Sequence, residues 1–457
     1  MIVQQGIKAF TQSDIFENIR NTFNAVNSAE GDIWSSPHRN PKEYAHSLFQ
    51  YPAMMVPEVQ KRVIQIIKQS TPNINTLLDP YVGAGTTITA AMRCGLNATG
   101  QDINPLAVLV SKAKTDFGWS NEALLKAFDI VVCSAKADRD NSIDVEFPNM
   151  SKWFQHNVSI ELSKLRRAIK QQPQKVVRRV LWVALAETIR LTSNDRTSTY
   201  KLHARPVDEI EERHVSPFNV FETISRNYVL DLIEFKRILE VDNLIVNEQY
   251  SGQISITLSD TVQKIKNSSN NFDLIVTSPP YGDNLTTITY GQHAYLPLQW
   301  IDISDIDENI DRDFLRTTQE IDRRSIGGKL PSKNEINALV RNLGSQSKNL
   351  QKTFTLLESM PFDRLAKVVG FYRDFTNSLE RILNSVNDNC FMVWTIGNRR
   401  VNKLEIPNDQ ILIDLLMTKG FEFIIGLDRT IHNKRMPHKN QIAQMMRSEK
   451  ILIFGKS

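Results

Sequence analysis

The feature that most constrains this chain is a pair of adjacent strand-turn-helix units between residues 75 and 115. NTLLDPYVGAG, residues 75–85, is a short apolar run ending in a glycine-bearing turn, and the small-residue segment TTITAAMRCG after it reads as a helix. NATGQDINPLAVLVSKAKT then supplies a second strand ending at Asp102 and a second helix opening near Pro105, whose fixed φ suits a first helical turn. Strands joined through a helix are crossover-linked, so they lie parallel in one sheet. The same alternation returns downstream. ISITLSD (254–260) leads into a helix-like TVQKIK, and FDLIVTSPPY (272–281) is an apolar strand that runs into a double-proline stop. NCFMVWTIGN (389–398), FEFIIGLDR (421–429) and KILIFGK (450–456) add strands, separated by the helical patterns FYRDFTNSLERILNSV and DQILIDLLMTKG. The alternation predicts an α/β fold with a parallel-rich sheet.

At 457 residues the chain exceeds one ordinary core, so substantial insertions are expected. One is residues 115–253, mainly helical in period, as in IELSKLRRAIKQ, RRVLWVALAETIRL and FETISRNYVLDLIEFKRIL. Another spans roughly 283–365 and turns acidic at DISDIDENIDRD, which reads as a solvated stretch. The resulting division is 1–115, the N-terminal segment and first half of the sheet domain; 116–250, a helical insertion; 251–300, the second half; 301–365, a second insertion; and 366–457, the remaining strands and helices.

Hydrophobic residues at 41% and charged residues at 23% match a folded globular protein. No run of about eighteen apolar residues occurs and MIVQQGIKAFTQSD has no basic-then-apolar leader, so neither a membrane span nor a signal peptide is expected, and the expected site is cytoplasmic. Cys94, Cys133 and Cys390 fit neither a disulfide framework nor a metal-ligand spacing, so no metal is expected. A net charge of +4 points only weakly to a polyanion. Locally, Lys164, Arg166, Arg167, Lys170, Lys175, Arg178, Arg179, Arg190, Arg196 and Lys201 form a basic stretch, open to two readings: a nucleic-acid surface or a solvated helix face. SNDRTSTYKLHARPVDE (193–209) interleaves Arg196, Tyr200, Lys201 and His203 as a nucleic-acid contact loop would, with a plain surface loop as the equal alternative.

In DPYVGAGTT, Asp79 closes a strand and Gly83 and Gly85 occupy the turn, where a missing Cβ lets backbone approach a ligand at a helix N-terminus. Asp102, closing the next strand, is placed to accept hydrogen bonds from ribose hydroxyls. No Gly-x-Gly-x-x-Gly cradle for a pyrophosphate is present, which favours a nucleoside ligand such as S-adenosylmethionine over NAD.

DPYVGAGTT, QDINPLA and TSPPY together resemble the amino-group family of DNA methyltransferases. HSLFQYPAMMVPEV (46–59) resembles the family's cofactor segment, and TSPPYGDN, YGQ, IGNRRV and KRMP resemble the cytosine-N4 group among restriction-associated modification enzymes. The resemblance spans most of the chain outside the large insertion. It implies a Rossmann-like sheet that uses S-adenosylmethionine to methylate the exocyclic N4 amine of cytosine at a short sequence in double-stranded DNA, in functional pairing with a restriction endonuclease. It further implies that Asp79, Pro80, Gly83, Gly85, Thr86 and Asp102 contact the cofactor. Asp260 would meet the adenine ring or serve as a helix N-cap, and Tyr51 and Pro52 would hold the methionine part or simply pack.

The composition of TSPPY then has a chemical reason. An exocyclic amine delocalises its lone pair into the ring, and it becomes nucleophilic only when acceptors pull its nitrogen towards tetrahedral geometry. By the resemblance, the Ser278 hydroxyl and the Pro279 carbonyl are those acceptors, Pro279 and Pro280 stiffen the turn, and Tyr281 stacks on a base swung out of the duplex. Asn398 and Arg399 line the base pocket or form a turn, and Arg435 meets phosphate or is solvated. Serine at the head of the motif leans to cytosine N4, although some adenine enzymes of the family also carry it. The cofactor motif precedes the catalytic motif, the reverse of many cytosine-N4 enzymes; residues 116–250 are expected to read DNA, with 283–365 competing. Alternatives are adenine-N6 methylation, RNA guanine-N2 methylation, and a non-catalytic DNA-binding protein on the same frame.

Overall fold

The computed structural model describes residues 11–35, 44–265, 271–282, 289–431 and 448–456. Seven strands form one sheet: β1 (Thr76–Asp79), β2 (Asn97–Asp102), β3 (Ile254–Leu258), β4 (Phe272–Thr277), β5 (Val386–Ile396), β6 (Phe421–Thr430) and β7 (Ser448–Lys456). Their order is β6-β7-β5-β4-β1-β2-β3, and β7 runs antiparallel to both neighbours while the other pairs are parallel. The α/β fold expected from the alternation is present. The chain builds outwards from β1 to β3 and then restarts on the other side of β1 with β4, so the order reverses between β1 and β4. Crevices for ligands open at such a reversal, beyond the C-terminal ends of the strands.

Both faces of the sheet are covered, which explains the continuous apolar runs. Leu77, Leu274, Val276, Phe391 and Val393 point into one hydrophobic cluster, and their neighbours Leu78, Ile275, Met392 and Trp394 point into a second on the opposite face. The first cluster takes in α1 (Gln12–Glu30), α2 (Pro57–Ser70), α3 (Thr86–Arg93) and α4 (Pro105–Thr115). The second takes in helices Lys333–Gln346, Lys348–Leu357, Phe362–Leu383 and Asn408–Met417.

The helical stretch after α4 comprises chiefly α5 (Asn121–Ala137) and the helices His156–Lys170, Lys175–Thr192 and Pro217–Val241. Lys175–Thr192 packs on α4, and the block shares the first cluster with that face of the sheet. Where a helix was expected over TVQKIK, Thr261–Gln263 form a turn, started by the Asp260 carboxylate accepting from Val262 N at 2.9 Å.

The acidic stretch read as solvated is in fact docked on the basic helices. Asp305, 5% exposed, takes Arg178 in a two-pronged pair at 2.7 and 2.8 Å and also accepts from Trp182 Nε1 at 2.7 Å. Lys175 pairs with Glu308 at 3.0 Å and Lys170 with Asp302 at 3.5 Å. Arg166 and Arg167 meet Asp144, Arg179 meets Asp116, and Arg190 meets Glu187. Much of the basic stretch is therefore neutralised within the protein, because acids distant in sequence fold back onto it. Within residues 193–209, a closed loop spans 195–204: Asp195 bridges to Ala204, and its carboxylate accepts from His203 N at 2.7 Å and Thr197 N at 3.1 Å, while a short helix, Val207–Glu211, begins beyond it.

Candidate active site

The C-terminal ends of β1, β2 and β4 open on one cleft, whose empty space, the open solvent at its mouth included, is about 890 Å³. Of the residues singled out from the sequence, Tyr51, Pro52, Pro80, Gly83, Thr86, Asp102, Asp260, Ser278 and Pro280 line it.

The turn after β1 is tied down from several sides. Gly83 N donates to Asp102 Oδ2 at 2.9 Å, Gly83 O accepts from Ser111 Oγ at 2.9 Å, and Ala84 O accepts from the buried Lys114 Nζ at 2.8 Å. Both glycines take positive φ, +48° at Gly83 and +77° at Gly85, which side chains with a Cβ rarely adopt. Their surroundings differ. A Cβ on Gly83 would stand 3.6 Å from the Tyr51 ring at the cleft wall, whereas one on Gly85 would press within 3.0–3.2 Å of Ser111 in α4. Gly85 thus makes room for a helix, and it does not line the cleft. Asp79 does not line it either: 0% exposed, it accepts from Thr277 Oγ1 at 2.6 Å and Tyr81 N at 3.2 Å, tying β1 to β4 beneath the site. Pro279 and Tyr281 also lie outside the cleft lining.

The DNA methylase family model matches residues 5–113, the span that holds the Tyr51 segment, the glycine turn and Asp102. The chain is also 28% identical over 419 residues to the Type II methyltransferase M.MvaI of Kocuria varians, a match covering 88% of this chain and 87% of that protein. Both findings support the amino-group DNA methyltransferase family for this chain.

In this DNA methyltransferase the cleft also recruits residues that the sequence reading passed over. Asn104 caps α4 through Leu106 N at 3.0 Å and donates to Tyr51 Oη at 2.9 Å, so one side chain joins the glycine-turn region to the upstream segment. Tyr290 stacks on Tyr51 with ring centroids 5.8 Å apart. Ile321, Asp322, Ser325 and Ile326, all from the second insertion, complete the wall. The N-terminal turn of helix Tyr290–Trp300 meets Asp322, whose Oδ2 accepts from Gly291 N at 3.0 Å; a Cβ on Gly291 would stand 2.8 Å from that oxygen.

Around the TSPPY segment of the methyltransferase, Ser278 Oγ lies 3.2 Å from Tyr281 Oη, and the Tyr281 carbonyl accepts from Asn408 Nδ2 at 3.2 Å. Gly282 has φ +86°, and a Cβ there would collide with the Arg399 guanidinium at 2.2 Å. Arg399 thus reaches the end of the TSPPY segment, held over the Phe371 ring at 5.9 Å, while Asn398 Oδ1 accepts from Asp409 N at 3.1 Å, outside the cleft lining. Residues 283 and 284 of TSPPYGDN and the KRMP segment with Arg435 lie outside the described residues. Among the described residues, no helix is long and apolar enough to cross a membrane.

Burial raises the carboxyls gathered here. It pushes Asp79 and Asp102 up to about 6, against the pull of the hydrogen bonds they accept, and Asp322 up to about 7. For Asp322 the sign is clear: between about pH 4 and 7 the folded chain holds a proton that the unfolded chain, with the ordinary value of 3.8, has released. Its contribution to stability is therefore present at low pH and lost as pH rises through about 7. Asp322→Asn lacks that loss. Thermal melts are expected to show the difference, variant minus wild type, shifting in the variant's favour from pH 4 to 7 and levelling above it; a pH-independent difference would refute the assignment.

Proposed function

We propose that this enzyme transfers a methyl group from S-adenosylmethionine to N4 of cytosine at a specific sequence in double-stranded DNA, as the modification partner of a restriction endonuclease. The observation that carries the reading is the convergence of Gly83, Asp102 and Ser278 on one cleft at the reversal of strand order. Family membership supports the cofactor, the Type II relative supports the restriction-modification role, and serine at the head of the Pro-Pro-Tyr motif supports cytosine over adenine.

The residues present fit this cofactor. Asp102, its two oxygens already anchored by Gly83 N and Asn104 N, keeps further lone pairs for ribose hydroxyls. Asp260 and Thr261 serve the adenine end, and Tyr51, Pro52 and Tyr290 enclose the methionine end. Pro80 and Thr86 complete the wall, while Asp79 and Gly85 act from behind it by fixing the turn. When bound, the cofactor supplies a methyl group on a cationic sulfur that departs as a neutral thioether.

The protein's share is to hold the base. Ser278 Oγ and the Pro279 carbonyl accept the two amine hydrogens, which localises the nitrogen lone pair and aims it. Pro280 keeps that turn stiff, and the Tyr281 ring stacks on the extruded base. Target reading falls to residues 116–250. The exposed Arg196 and His203 of the 195–204 loop are its contacts, since most arginines of the two basic helices are engaged in ion pairs.

Incubation with labelled S-adenosylmethionine and unmethylated plasmid, followed by nucleoside mass spectrometry, is expected to yield 4-methylcytosine. Label in 6-methyladenine would overturn the base assignment alone; in a parallel incubation with total RNA, label there and none in the plasmid would overturn the substrate assignment.

A further inference from the structure

Tyr281 is gripped at both ends. Asn408, itself held by Tyr372 Oη at 2.6 Å, donates to its carbonyl, and its hydroxyl lies 3.0 Å from Glu449 Oε1 on β7. The other oxygen of Glu449 accepts from Arg429 Nη1 at 2.6 Å, and these two residues are direct cross-strand partners of the β6–β7 pair. A carboxylate on the last strand thereby reaches the catalytic motif through one phenol.

We propose that Glu449, anchored by Arg429, is a positioning residue that fixes the direction of the Ser278 hydroxyl through Tyr281. The inference rests on the reading of Ser278 as acceptor for the target amine.

The direction follows from counting hydrogens. As the anionic partner of Arg429, Glu449 can only accept, and so can the other oxygen near the phenol, Thr395 O at 3.5 Å. Tyr281 has one hydroxyl hydrogen and must give it to that side. Its oxygen is then left to accept, and the donor within reach is Ser278 Oγ at 3.2 Å. That separation falls in the looser range that catalytic contacts show before substrate is bound. Ser278 also has one hydrogen. With it committed to Tyr281, both its lone pairs stay available to an amine hydrogen. Left to rotate, the same hydroxyl would at times present its hydrogen to the amine, which repels. Burial, and then the Glu449 charge, push the Tyr281 hydroxyl well above its usual range, so the phenol keeps the proton it must donate.

The test compares Tyr281→Phe, Glu449→Gln, the double variant and Ser278→Ala, measuring kcat and cofactor KM on duplex DNA and S-adenosylhomocysteine affinity by calorimetry. Tyr281→Phe keeps the ring and removes the relay. In Glu449→Gln, Arg429 retains the amide oxygen, and the NH2 turns to Tyr281 and reverses the chain. Each single variant is expected to lower kcat about 10-fold, the size of one misdirected hydrogen bond, with KM and product affinity within about twofold. The double variant should be no slower than Tyr281→Phe, because both changes break one chain. Near-normal kcat in both relay variants beside an inactive Ser278→Ala would overturn the relay while leaving Ser278 as acceptor. Multiplying losses in the double variant, or losses matched by falls in product affinity and melting temperature, would also overturn it. A fully active Ser278→Ala would instead remove the reading on which the relay rests.

Discussion

Ser278→Ala is expected to lower kcat by roughly 10²- to 10³-fold while the affinity for S-adenosylhomocysteine stays within about twofold. The size follows from removing one preorganised hydrogen-bonding partner of the reacting group in a water-excluded site. The selectivity follows from position. Ser278 stands at the end of β4, and its hydroxyl meets only Tyr281 among the contacts described, whereas the glycine turn and Asp102 stand on β1 and β2. Loss of the hydroxyl therefore leaves the cofactor wall in place, and with it the melting temperature. Single-turnover methylation beside calorimetry checks both halves. Retention of the full rate would end the acceptor role, and a parallel loss of product binding would recast Ser278 as a cofactor contact.

Gly83→Val is expected to weaken S-adenosylhomocysteine by more than about 100-fold, since a β-branched residue is a steric outlier at positive φ and closes on the ligand's own space. At φ +48°, with the Tyr51 ring 3.6 Å from the new Cβ, the valine methyls must enter either the ring or the cleft, and the Gly83 N bond to Asp102 must shift. Gly85→Ala is the informative comparison. There the added carbon meets Ser111 of α4, so the expected effect is about 1–3 kcal/mol of lost stability, the usual range for a strained backbone position, with product affinity of the folded protein changed less than about threefold. Melting curves and calorimetry on both variants separate the two roles. Equal loss of binding in both would show that the turn acts as a unit rather than through Gly83.

These two glycines also mark how far the sequence could be read. The pattern Asp-Pro-x-x-Gly-x-Gly between an apolar run and a small-residue helix identified the turn, because few other residues tolerate positive φ. It could not say which neighbour would approach each glycine, and Gly85 proved to face α4. Asp79 was legible as a strand end but not as a buried tie to Thr277, since that partner lies on a strand from another part of the chain. Asn104 could have been found: Asn before Pro at a helix start is an N-cap signal. Asp322 carries no such mark in EIDRRS, where its neighbours suggest a solvated turn, and only the return of that segment against Gly291 brings it to the cleft. The pairing of Arg178 with Asp305 was hidden for the same reason, as opposite charges more than a hundred positions apart leave no local periodicity.

That pairing has a mechanical consequence. Asp305 is fastened to Arg178 and Trp182, Ile306 O to Lys112 of α4, and Trp300 O to Arg166. A few residues on, Arg324 clasps Asp311 and Glu320 beside Asp322. The struts that brace the long helices thus also brace the rim of the cleft. A displacement of those helices would therefore be transmitted to Asp322 and the Tyr290 ring, because the helices and the cleft rim are tied into one frame.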